Sequence, residues 1–145
     1  MLEKYGEMKM ECRHQADAEV CEEVLKRKTY LKPKLGFMVK PKSIWLDVGA
    51  NIGAFSVWAG NQRASEVVAY EPCYENYNLA KKNMELNRVP GTVHQQAIGA
   101  KAGKIEIMYN PDTPARSSDK AKKGKSEIVE QVSFNEVVEI LQPNG

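Results

Sequence analysis

Twelve consecutive residues, Trp45-Leu46-Asp47-Val48-Gly49-Ala50-Asn51-Ile52-Gly53-Ala54-Phe55-Ser56, constrain this chain more than any other stretch. The run from Ser43 to Val48 has few polar residues and stops at Gly49. Near-continuous apolarity of that length marks a strand buried on both faces, as in a parallel sheet. A helix is predicted from about Ile52 to Gly60, with Ile52, Phe55 and Ala59 facing inward. A glycine-rich turn between such a strand and such a helix is where open α/β sheets hold nucleotide-like ligands. Glycine serves there because the backbone must turn sharply and approach a ligand with no Cβ in the way.

The residues that follow supply the rest of that architecture. Glu66 to Tyr70 reads as a second strand, and Tyr74 to Asn87 as a helix with Tyr77, Ala80 and Met84 on one stripe. Thr92 to Ala97 is a third strand candidate. Strand–helix–strand–helix–strand order predicts an α/β fold with an open, mostly parallel, Rossmann-like sheet. Farther on, Lys104 to Tyr109 alternates with period two, as a strand with one wet face does. Ile128 to Phe134 reads as another strand, followed by a short helix over Val137, Val138, Ile140 and Leu141.

Ahead of the glycine-rich turn, residues 1–40 are expected to form a helical lead-in. Val20, Cys21, Val24 and Leu25 recur at helical spacing from Asp17 to about Lys28, with Asp17 as N-cap. Residues 110–126 are rich in Pro, Ser, Asp and Lys and read as an exposed basic loop. Its charge is +3, from Arg116, Lys120, Lys122, Lys123 and Lys125 against Asp112 and Asp119. The whole chain, 145 residues, carries only +2, so nucleic acid is not the expected partner. No apolar run approaches the roughly 20 residues of a membrane-spanning helix. The charged N-terminus lacks the apolar core of a secretory signal. Cys12, Cys21 and Cys73 are odd in number and without C-x-x-C spacing, which argues against a disulfide framework and against zinc at Cys12, His14 and Cys21. A single cytoplasmic domain without a metal is expected.

Two ligand classes compete for the turn. A dinucleotide fold wants G-x-G-x-x-G/A, whose second glycine lets pyrophosphate lie against the backbone. Here that position is Asn51, and a side chain obstructs phosphate. As D-x-G-x-N-x-G, the turn uses Asp47, Gly49, Asn51 and Gly53. It then suits a ligand without phosphate, such as S-adenosylmethionine (SAM), whose aminoacyl end can bond to loop backbone and an Asn amide. Glu71 ends the second strand 22 residues after Gly49, the usual place for a carboxylate that accepts from ribose hydroxyls. Asp47 could equally be structural, fixing the loop through hydrogen bonds.

Trp45 to Ser56, Val68-Ala-Tyr-Glu-Pro72 and Asn83-Met-Glu-Leu-Asn87 together resemble the FkbM family of SAM-dependent methyltransferases. Arg13-His14 to Asp17 with Tyr30, and Gln96-Ala97-Ile98-Gly99 with Gly103-Lys104, are similar to further parts of that family. The resemblance implies a class I methyltransferase fold and O-methyl transfer to a sugar or other small hydroxylated acceptor. It implies that Gly49, Asn51, Gly53 and Glu71 contact the cofactor, with Gln96 and Ala97 near the adenine. Family members usually continue into a strand reading L-K-x-D-x-E-G-x-E, which these 145 residues do not contain. The expectation is therefore an incomplete SAM-binding domain, inactive alone, with the Ile44–Val48 strand at a sheet edge that a second chain could complete. No residue is a convincing general base: His94 reads as a strand-face residue and His14 as an outside candidate. The alternatives are an RNA methyltransferase and a non-catalytic binding module.

Overall fold

The computed structural model describes residues 1–35, 38–110 and 124–142. It begins with a hairpin and not a helical lead-in. β1 (Leu2–Tyr5) pairs antiparallel with β2 (Met8–Glu11) across the two-residue turn Gly6-Glu7. Gly6 sits at φ +64, the left-handed geometry that two-residue hairpin turns demand. Met10 and Cys12, fully buried, point from this segment into the main core.

α1 is shorter than its apolar spacing predicts, Gln15–Cys21, and runs directly into a π-helical turn over Glu22–Lys26. Its N-cap is His14. Asp17 is instead a buried carboxylate, held by the Arg13 side chain at 2.9 and 3.0 Å and by the Arg13 N–H at 2.9 Å. Burial alone would raise its pKa, but those Arg13 bonds outweigh it and hold the carboxyl below its usual range. Cys12 is buried, with its Sγ 4.0 Å from that of Cys21.

The α/β core follows. β3 (Ile44–Val48) pairs parallel with β4 (Glu66–Tyr70), which pairs parallel with β5 (Gly91–His94), so β3 stands at one end of this three-stranded order. The connecting helices are α2 (Ala54–Asn61), which starts two residues later than predicted, and α3 (Tyr74–Leu86). Ile52, Val57, Trp58, Val67 and Ala69 form the centre of the core beneath the sheet.

The third strand candidate is divided. β5 ends at His94, and β6 (Ala97–Gly99) leaves it to pair parallel with β8 (Lys125–Ser133), which is antiparallel to β7 (Gly103–Tyr109). The α/β fold with an open parallel sheet is as expected; beside that sheet and the hairpin, the described residues form a further, mixed sheet of order β6-β8-β7. β7 alternates exposed and half-buried residues, as its period-two pattern requires. α4 (Phe134–Leu141) closes the described chain and buries Val137 against Val68 and Tyr70. Most of the basic loop, residues 111–123, lies outside the described residues. Lys125, at its far end, opens β8 and lies 3.6 Å from Glu75.

Candidate cofactor site

The turn after β3 is built from three left-handed residues: Gly49 at φ +73, Asn51 at +52 and Gly53 at +84. Asparagine is among the few non-glycine residues that visit this region at modest cost. The loop's amides are used inside the protein. Gly49 and Ala50 both donate to the Tyr70 carbonyl, at 2.8 and 3.0 Å, and Gly53 donates to Ala50 at 2.8 Å. The Asn51 N–H donates to Glu71 Oε2 at 2.7 Å. With these donors taken, the loop is a poor phosphate cradle, because such cradles work by free N–H groups.

Glu71 is buried and does more than end its strand. Its Oε1 accepts from the Cys73 N–H at 3.0 Å, and the Asn76 side chain also bonds to it. Burial raises its pKa, and these N–H donors work against the rise. A carboxylate offers about four acceptor positions, so three internal bonds leave one for a ligand.

Asp47 faces inward. It accepts a 2.6 Å bond from Ser56 Oγ on α2, and burial pushes its pKa up to about 6. This ties the strand end to the helix that follows the loop.

The two loop glycines differ in what they allow. A Cβ on Gly49 would meet nothing within 4 Å, whereas one on Gly53 would come within 3.2 Å of the Ala80 backbone on α3. Gly53 therefore permits close packing of loop and helix. Gly53→Ala should destabilise the fold by about 1–2 kcal/mol, the cost of a Cβ in left-handed backbone plus the squeeze against Ala80. Chemical denaturation checks this; a neutral result would remove the packing role.

Beside the loop lies a cleft of about 410 Å³, lined by Asp47, Gly49, Ala50 and Asn51 and by apolar residues including Val20 and Val24. Its aromatic wall joins Tyr30 to Phe55 edge to face at 4.9 Å, with Phe55 5.7 Å from Trp45. Glu71, Gln96 and Ala97 do not line this cleft. The Glu71 N–H donates to the His94 carbonyl at 3.0 Å, and Gln95, Gln96 and Ala97 follow His94 directly in sequence. Ala97 is buried and Gln96 half-buried. His94 stacks on Tyr70 at 4.8 Å, as a strand-face residue can.

No protein-family model matches the chain. Over 96 residues, 66% of its length, it is 31% identical to 31-O-demethyl-FK506 methyltransferase FkbM of Streptomyces tacrolimicus. One curated relative is thus a methyltransferase. The chain covers only 36% of that protein. Among solved structures, the tRNA (uracil-54, C5)-methyltransferase of Pyrococcus abyssi, in complex with S-adenosyl-L-homocysteine, gives a TM-score of 0.46 at 14% identity, covering 68% of this chain and 27% of that one. M. jannaschii TYW2 in complex with AdoMet gives 0.44 at 14% identity, covering 74% and 61%.

The signal that sequence reasoning missed is the network behind Glu71. Arg13 Nη2 donates to Asn76 Oδ1 at 2.8 Å, so the N-terminal segment reaches the group that bonds Glu71. Arg13-His14 to Asp17 stood out in the sequence only as part of a family-like stretch. Its burial was not legible there.

Proposed function

We propose that this chain carries the cofactor site of a SAM-dependent methyltransferase acting on a hydroxyl of a sugar or other small acceptor. The observation that carries the cofactor is the loop itself: glycine-rich and left-handed, yet with the N–H groups of Gly49, Ala50, Asn51 and Gly53 spent, so that it favours a ligand without phosphate. Two features fit SAM. The space a Cβ would fill at Gly49 is open, and Asn51 Oδ1 is buried without a hydrogen-bond partner among the described residues. When bound, SAM supplies an activated methyl group on its sulfonium sulfur. Glu71 would use its remaining acceptor position on a ribose hydroxyl, and Gln96 and Ala97 would border the adenine. Asp47, tied to Ser56 on α2, would face the cofactor across the adjoining cleft, and Gly53 would act one step back, by fixing the loop against α3. The acceptor class rests on the likeness to FkbM.

Calorimetry tests the cofactor. SAM and S-adenosylhomocysteine should bind and NAD should not; the reverse would overturn the reading. Gly49→Ala should weaken SAM binding about tenfold or more, because the new methyl group occupies ligand space. Label passing from SAM into RNA, and not into small hydroxylated acceptors, would overturn the acceptor class.

A further inference from the structure

The proposed site draws on two sheets. Glu71 directly follows β4 of the parallel sheet, whereas Ala97 opens β6 of the mixed one, with Gln95 and Gln96 as the link after β5. The Glu71 N–H bond to the His94 carbonyl carries the parallel pairing as far as His94, and the chain then turns away to pair with β8. A nucleoside that met Glu71 with its ribose and Ala97 with its base would touch both sheets. Its fit would then depend on what holds them in register at this junction.

One side chain of β8 spans it. Glu127 Oε1 accepts from Gln95 Nε2 at 2.9 Å, and its Oε2 accepts from the Tyr74 N–H at 3.1 Å. Tyr74 is three residues past Glu71, and Gln95 directly precedes Gln96. Tyr74 is also the first residue of α3, and Cys73 before it provides no side-chain cap. The first N–H groups of a helix have no partner inside it, so Glu127 caps α3 from 53 residues away. Negative charge is favourable at a helix N-terminus, and Lys125 lies 3.6 Å from Glu75, offsetting the second carboxylate at this end of α3. Gln95 is fixed as well. A carboxylate only accepts, so the Gln95 amide must turn its NH2 toward Glu127. With one partner on each oxygen, the length of this side chain sets the distance between the two.

Resting on the SAM reading, we propose that Glu127 is a positioning residue for the cofactor's nucleoside. It fixes the gap between the turn that carries Glu71 and the segment Gln96–Ala97, and it does so from outside the ligand's reach.

Shortening the side chain by one methylene tests this on the 145-residue chain. Glu127→Asp keeps the charge and both oxygens but cannot span Tyr74 and Gln95 together. Its affinity for S-adenosylhomocysteine, by calorimetry, should fall about tenfold, the scale of loss when a binding shell is left loose. S-ribosylhomocysteine keeps the ribose and lacks the base; its affinity, by competition with labelled S-adenosylhomocysteine, should stay within about twofold. Gln95→Ala should give the same selective loss, and the double variant no more than either alone, because both break one link. Gln95 is only half-buried, so this variant carries the comparison even if Glu127→Asp does not fold. Glu127→Gln keeps the length, and Gln95 can turn its amide oxygen to it, so it should bind S-adenosylhomocysteine as wild type does. Unchanged binding by Glu127→Asp and Gln95→Ala would overturn this inference and leave the cofactor reading standing. Equal weakening of both ligands would also overturn it, as a structural role only, and so would additive losses in the double variant. No competition by S-ribosylhomocysteine against wild type would overturn the division of the site between the sheets. No binding of S-adenosylhomocysteine to wild type would overturn the cofactor reading as well.

Discussion

Asn83→Ala should lower folding stability by about 3–5 kcal/mol, while Asn87→Ala, one turn along the same helix, should cost about 1 kcal/mol. Both side chains do the work of a missing strand. Asn83 Oδ1 accepts from the Glu11 N–H at 2.7 Å and its Nδ2 donates to the Glu11 carbonyl at 3.1 Å. Asn87 repeats the pattern on Lys9, accepting at 2.8 Å and donating at 2.6 Å. The match is geometric. Four residues along a helix advance about 6 Å and two along a strand about 6.8 Å, so amides at i and i+4 meet alternate residues of β2. The hairpin edge, otherwise a row of open backbone groups, is thereby covered.

The difference in magnitude comes from burial. Asn83 is fully buried and also donates to the Ile52 carbonyl at 2.9 Å, tying the hairpin to the residue just before Gly53. Its loss leaves the buried Ile52 carbonyl and the part-buried N–H and C=O of Glu11 without a partner, and each unsatisfied buried group costs about 1–3 kcal/mol. The Asn87 bonds to Lys9 are exposed, so water replaces them. Urea denaturation of both variants measures the two costs. An Asn83→Ala cost no larger than that of Asn87→Ala would remove the clamp from the account.

That clamp also shows where sequence legibility ended. β3, β4, α2 and α3 were readable because their signals are local: an apolar run broken by Gly49, an apolar stripe at helical spacing, a Pro after Glu71. Asn83 and Asn87 were visible as residues of a family-like segment, but their partners lie more than seventy residues away in sequence. The hairpin itself had a local signal in Met8-Lys9-Met10-Glu11 after Gly6. The density of charge there hid it within what read as a helical lead-in, and only packing against α3 makes the alternation matter. Similarly, the turn glycines and Glu71 stood out as a ligand site, while the spending of the loop's own N–H groups depends on Tyr70 and Glu71 being brought alongside by parallel pairing. At residues 92–97, propensity favoured one continuous strand. Tertiary pairing of β6 with β8 divides it after His94.

Acidification from pH 7 toward 4 should stabilise this protein through Asp47, and Asp47→Asn should abolish that gain. The carboxyl titrates at about 6 when folded, against 3.8 as its ordinary value, because burial disfavours its charge more than the Ser56 hydrogen bond favours it. A carboxyl whose folded pKa is raised takes up its proton more readily in the native state. Its contribution to stability is therefore fully present below pH 3.8 and is lost as pH rises through about 6. A shift of this size is worth about 3 kcal/mol at about 1.4 kcal/mol per unit. Asn keeps an oxygen to accept from Ser56 and carries no charge, so Asp47→Asn should be the more stable protein at pH 7 by up to about 3 kcal/mol. The two should converge near pH 4. Taking the difference between the proteins removes most of the opposite contribution of Asp17, whose carboxyl lies below its ordinary value and loses stability on acidification. Denaturation midpoints of both proteins across pH 4–8 give that difference directly. Parallel curves would mean that Asp47 is not held at a cost. Converging curves would mean that the chain keeps an ionised carboxylate at the end of β3 against its own stability, as residues that serve a ligand commonly are. A cation binding in the adjoining cleft, as the sulfonium of SAM is, would then draw the Asp47 pKa back down, and SAM affinity should rise with pH through about 6 in the wild-type protein and not in Asp47→Asn.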